Sequence, residues 1–138
     1  MKNYLLAGIV VAASGAAQAE DDPVLEAVVG YMDFATATEG IILPAQLTED
    51  VFGDVFFVDA RSADAYASGT IGNAINIDWR EIPGRLDEIP ETGMVVVFCN
   101  TGVRSSQAVF ASRLLGRDNI LVMQSGYDGW QVTGAYKP

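Results

Sequence analysis

The stretch "MVVVFCNTGVRSSQAVFASRLLG", residues 94–116, changes character twice within 23 positions. Met94 to Phe98 is a continuous apolar, largely β-branched run, the pattern of a strand buried on both faces. Arg104 to Leu115 reads as a helix, with Gly116 placed to stop it. Between them, Cys99 to Val103 is small and mostly polar, as a strand-to-helix loop should be. The unit recurs upstream. Val55 to Arg61 is a second buried strand, Ser62 suits an N-cap, and a short helix through Tyr66 to Ser68 stops at Gly69.

Three more strands are expected: Ala74–Ile77, Ile120–Met123, and an edge strand at Ile41–Leu43 ahead of Pro44. Apolar spacing predicts a helix over residues 24–38 ending near Gly40, and a helical turn from Ala45 to Phe52. A further helix is predicted from Arg80 to Glu88, although Pro83-Gly84 interrupts it, followed by a turn at Pro90–Gly93. Gln124 to Gly134 is read as a Gly-rich aromatic segment. Apolar strands alternating with helices indicate an α/β fold, one domain with a central, mostly parallel sheet and helices on both faces. In such sheets ligands bind beyond the C-terminal ends of the strands, which is where Cys99 falls.

Composition narrows the chemistry. A chain of 138 residues, half of them hydrophobic, favours one domain with an ordinary core. The net charge of -10 disfavours nucleic acid and anionic membranes as partners. There is no histidine, which removes Ser-His-Asp triads, Cys-His pairs and histidine-dependent zinc sites together. One cysteine and no calcium-loop spacing leave no metal site to expect, and no cofactor is implied.

The N-terminus has the secretory pattern: Lys2, an apolar core from Leu5 to Ala13, and the small-x-small site Ala17-Gln18-Ala19. The expectation is a signal peptide at 1–19 cleaved after Ala19, a helical extension at 20–40, and the main domain at 41–138. The mature protein would be periplasmic or secreted, with no membrane span once the signal is removed; an uncleaved anchor is the alternative. Loss of Lys2 leaves seven basic residues against eighteen acidic, a net charge of about -11. Exported proteins usually hold cysteines in pairs, and Cys99 has no partner in the chain. It is a buried inert thiol, a link between chains, or a reactive group.

The position favours the last. A strand-to-helix loop aims unpaired backbone N–H groups at a common centre, and Asn100, Thr101, Gly102 and Val103 are small enough to form such a cradle. Arg104 sets a permanent cation at the rim, and Ser105 could add a hydroxyl donor from the first helical turn. A thiol so placed has its pKa lowered, and the fitting ligand is a small anion. Phosphate-ester hydrolysis by the Cys-five residues-Arg signature fits poorly: only four residues separate Cys99 from Arg104, and Phe98 stands where that signature carries histidine.

"CNTGVRS", Cys99 to Ser105, resembles the C-x-x-G-x-R-S loop of rhodanese-type sulfurtransferases. "VDARSADAYASGTIGNAINI", Val58 to Ile77, is similar to the D-x-R, acidic-x-Tyr and G-H-I-x-G-A-x-N-I blocks of that family, and "SGYDGW", Ser125 to Trp130, to its closing G-G-x-x-x-W block. The likeness covers about residues 41 to 134, with Thr70 at the usual histidine, Gly72-Asn73 for the usual Pro-Gly, and Ser125 for the first closing glycine. The resemblance implies a single rhodanese-like domain in which Cys99 is the catalytic nucleophile. Asn100, Thr101, Gly102, Val103, Arg104 and Ser105 would bind substrate, and Asp59 and Arg61 would support the loop by hydrogen bonds or an ion pair. It further implies transfer of sulfane sulfur from thiosulfate or a similar small anionic donor, through a Cys99 persulfide, to a thiophile such as cyanide or a thiol. With no second cysteine the acceptor comes from outside, as a small molecule or a protein thiol. The alternative is a rhodanese-fold binding or sulfur-sensing module without turnover.

Overall fold

The computed structural model describes residues 22–138; the expected signal peptide and its cleavage after Ala19 lie outside the described residues. Helix α1 (Pro23–Phe34) is capped by the Asp22 carboxylate, which accepts from the N–H groups of Val24 and Leu25. There follow β1 (Ile41–Ile42), a 3₁₀ turn at Pro44–Gln46, α2 (Glu49–Phe52), β2 (Phe56–Asp59), α3 (Ala63–Ala67) and β3 (Ile75–Asn76). Two more 3₁₀ turns lead to β4 (Val95–Phe98), α4 (Val103–Leu114), β5 (Ile120–Met123) and α5 (Gly126–Thr133). The five strands form one parallel sheet in the order β1-β5-β4-β2-β3.

β4 lies at the centre, and all four of its residues are buried. Its side chains alternate, as strand geometry requires. Val95 and Val97 face a core with Ala108 and Val109 of α4, Ile82 and Ile89, whereas Val96 and Phe98 face Leu47, Phe52 and Trp130. Helices therefore cover both faces, and the edge strands β1 and β3 are only two residues long.

Four segments differ from expectation; the turn expected from Ala45 to Phe52 divides into the 3₁₀ turn Pro44–Gln46 and α2, with Leu47 and Thr48 between them. Helix α1 ends at Phe34, four residues early, because the Ala35 C-cap is extended at ψ 132° and Thr36 begins a turn chain into Gly40. Arg80–Glu88 forms two separate 3₁₀ turns, Ile82–Gly84 and Leu86–Glu88, since Pro83 lacks the N–H an α-helix needs. The Gly-rich segment contains the helix α5, anchored by Trp130.

Helix α1 has no buried residue, and its Tyr31 ring packs edge-on to Phe110 at 5.2 Å. Core and helix thus predict opposite sensitivities. Val97→Ala, at a fully buried position, should lower the unfolding free energy by about 2 kcal/mol. Met32→Ser, at a position 63% exposed, should change it by less than about 0.5 kcal/mol. Urea titrations of the two variants check both values.

Candidate active site

Cys99 is the first residue beyond β4, and the loop from it to α4 is closed by Gly102 in a left-handed conformation (φ 91°). A side chain there would be strained in φ and would crowd the Met123 carbonyl at 3.3 Å. This turn sends the Gly102 N–H back to Cys99 Sγ at 3.2 Å. Ser105 Oγ lies 3.3 Å from Sγ and 3.2 Å from the Gly102 carbonyl. Its single proton can serve one of them at a time, and a thiolate is the stronger acceptor.

Cys99 is only 5% exposed, and burial, the largest influence on its thiol, pushes the pKa up. The Ser105 hydroxyl and the backbone N–H groups of Ser105, Thr101 and Arg104 together outweigh that effect and hold the thiol below its ordinary value of 9.0. The lowering comes from hydrogen bonds to the anion, with no histidine and no ion pair involved.

The sulfur opens on a pocket of about 280 Å³ lined by Ala60, Arg61, Ser62, Ala65, Cys99, Asn100, Thr101, Val103 and Arg104. Arg104 is exposed at this rim and has no ion-pair partner among the described residues, so its fork is open to an anion. Of the residues read as substrate-binding, Gly102 and Ser105 instead sit behind the sulfur and shape it.

The loop is also held from below. The first-turn N–H groups of α5 reach the loop carbonyls, Tyr127 to Cys99 O at 2.8 Å and Asp128 to Asn100 O at 3.0 Å. Such an approach needs glycine at 126, where a Cβ would come within 2.4 Å of the Cys99 oxygen. Neither Gly126 nor Tyr127 was assigned a site role from the sequence; their signal was the glycine-aromatic pair inside "SGYDGW".

Asp59 and Arg61 form a buried bidentate pair, with Arg61 Nε to Oδ1 at 2.9 Å and Nη2 to Oδ2 at 2.6 Å. Thr70 Oγ1 donates to Oδ2 at 2.8 Å, and Arg61 Nη2 also donates to Gly69 O at 2.6 Å. The Asp59 carboxylate pushes the Arg61 guanidinium above its ordinary value against the opposing effect of burial. Neither side chain hydrogen-bonds to residues 99–105 among the described residues, so their support of the loop is not the direct bond that the sequence suggested. Arg61 instead lies over the Tyr127 ring, 4.1 Å from its centroid.

A family model described as "Rhodanese-like domain" matches residues 44–133. The chain belongs to the rhodanese-like domain family. A protein of Allochromatium vinosum named a sulfurtransferase is 35% identical over 81 residues, covering 59% of this chain and 76% of that one. A Mycobacterium tuberculosis protein named an HTH-type transcriptional regulator is 29% identical over 117 residues, and the matched region spans 83% of this chain but only 51% of the regulator. Among solved structures, a rhodanese-related protein from Thermoplasma volcanium superimposes with a TM-score of 0.60 at 28% identity, covering 65% of this chain and 88% of its own. A human single-domain sulfurtransferase shares the fold with a TM-score of 0.61 at 24% identity, covering 67% and 95%. On this rhodanese-like domain the cysteine loop occupies the C-terminal edge of the central strand.

Two outcomes test the site. Alkylation of Cys99 should accelerate as pH rises with a midpoint below pH 9.0, since the reactive thiolate forms at a lowered pKa; Ser105→Ala should move the midpoint to higher pH by removing the largest opposing donor. Gly126→Ala should lose the tight loop: either α5 or the cysteine loop must shift to relieve the 2.4 Å approach. A lower melting temperature together with slower alkylation at neutral pH is the expected pair of readouts.

Proposed function

We propose that the protein transfers sulfane sulfur through a persulfide on Cys99. The observation that carries this reading is Sγ itself, held by Gly102 N–H at 3.2 Å and Ser105 Oγ at 3.3 Å at the base of a small pocket rimmed by Arg104. The name of the Allochromatium vinosum relative supports it.

In the first half-reaction the thiolate attacks the outer sulfur of thiosulfate or a similar donor. The new Sγ–S bond forms as the donor's S–S bond breaks, and the electron pair leaves with sulfite. The loop N–H groups that stabilise the thiolate then face the persulfide anion, and Arg104 holds the donor's oxygens at the rim. In the second half, cyanide or a thiolate attacks the outer sulfur, and the Sγ–S electron pair returns to Cys99. The chain has no other cysteine, so this acceptor is external.

The reading includes export: Lys2, the apolar run Leu5–Ala13 and Ala17-Gln18-Ala19 support a mature chain that opens at Glu20, with an extension to residue 40 before the catalytic domain. No helix among the described residues is long and apolar enough to cross a membrane. A binding or sulfur-sensing role without turnover is the second reading, favoured by the likeness to part of a protein named as a transcriptional regulator.

Intact mass separates the two. Thiosulfate should add one sulfur atom to the wild type and none to Cys99→Ser, and cyanide should remove it. A thiol that stays unmodified yet open to alkylation would reject thiosulfate as donor. A persulfide that forms but resists every acceptor would favour sensing.

A further inference from the structure

We propose that Tyr127 is a positioning residue through which the buried Asp59–Arg61 pair sets the nucleophilicity of Cys99. The proposal deepens the sulfur-transfer reading, and the mechanical link it names can be measured without any sulfur donor.

Two parts of one residue do different work. Its backbone N–H holds the Cys99 carbonyl at 2.8 Å, so the position of Tyr127 sets the floor of the cysteine loop. Its ring carries the Arg61 guanidinium at 4.1 Å. That guanidinium is held in place: Nε and Nη2 are fixed along its edge by Asp59, Nη2 also donates to Gly69 O, and Thr70 donates to the same Asp59 oxygen as Nη2. A planar cation bound along its edge keeps its face free for stacking, and the Tyr127 ring occupies that face. The ring also lies 6.3 Å from Phe98 and 5.9 Å from Trp130, both buried.

The buried pair is neutral as a unit, and its contact with the Tyr127 ring gives it a geometric link to the loop. Arg61 has one other aromatic neighbour towards the loop, Phe98, at the greater distance of 5.9 Å. Displacement of the Tyr127 ring shifts the first turn of α5, and with it the Cys99 carbonyl and the N–H groups that hold Sγ.

The test compares Tyr127→Phe, Tyr127→Leu, Arg61→Lys and the Tyr127→Leu/Arg61→Lys double variant by the rate of Cys99 alkylation against pH, with circular dichroism to confirm folding. Phenylalanine keeps the ring and should alkylate within about twofold of wild type. Leucine should slow alkylation at neutral pH by about tenfold and move the profile to higher pH, the scale expected for loss of a desolvated cation–π contact. Arg61→Lys keeps the charge but loses the flat face, and should act in the same direction. The double variant should be no worse than the worse single one. Should leucine unfold the chain, Tyr127→Met carries the same expectation. Wild-type alkylation by the leucine variant, equal losses in the phenylalanine and leucine variants, or single effects that multiply in the double variant would each overturn the proposal. A wild type that fails to take sulfur while the alkylation series behaves as expected would sink sulfur transfer and leave the positioning role standing.

Discussion

Two backbone hydrogen bonds hold this site together: those from Tyr127 and Asp128 at the start of α5 to the carbonyls of Cys99 and Asn100. They join the element after the last strand to the loop after the central strand, so the sulfur's surroundings depend on contacts made late in the chain. The glycine at 126 is the condition for them, since any Cβ there would collide with the loop backbone. Ser125 shows how tightly the segment is drawn. It is the one non-glycine residue with positive φ (67°) among the described residues, and it occupies the turn that aims α5 at the loop.

With the loop clamped, the electrostatics follow from short-range donors. A thiolate 5% exposed would be disfavoured by burial alone. Its compensation comes from neutral hydrogen-bond donors of fixed geometry, and the remaining cation, Arg104, is left exposed at the rim for a ligand. This division leaves the Arg104 guanidinium free at the rim, since a cation locked to the sulfur could not also contact a ligand. The overall charge of -10 opposes the approach of an anion, and Arg104 supplies a local attraction against that field.

Two other arginines, the buried Arg113 and the half-buried Arg117, serve the frame. Arg113, near the end of α4, pairs with Glu39 and donates to the carbonyls of Asp118 and Ile120, tying the segment before β1 to the segment entering β5. Arg117 reaches the carbonyls of Leu86 and Ile89 at 2.9 Å and closes the 3₁₀ region against the opposite end of the sheet. Both arginines donate to backbone oxygens at the end of the sheet away from the cysteine.

The sequence by itself determined the elements whose signals are local. The runs at Val55–Arg61, Met94–Phe98 and Ile120–Met123 are continuous apolar stretches of strand length, and Cys99 followed by Gly102 and Arg104 marks a strand-to-helix loop. Ser62 was legible as a cap because its hydroxyl acts three residues away, on the Ala65 N–H. What the tertiary structure alone decided involves partners distant in sequence. Thr70 found Asp59 across 11 positions, and Tyr127 reached Arg61 and Cys99 from the far end of the chain. α5 escaped the sequence reading because its glycines lower helix propensity, while burial of Trp130 and the bonds to the cysteine loop restore it. Propensity and periodicity report what a segment prefers alone; the position of the sulfur is set by contacts that exist only once the sheet has brought those segments together.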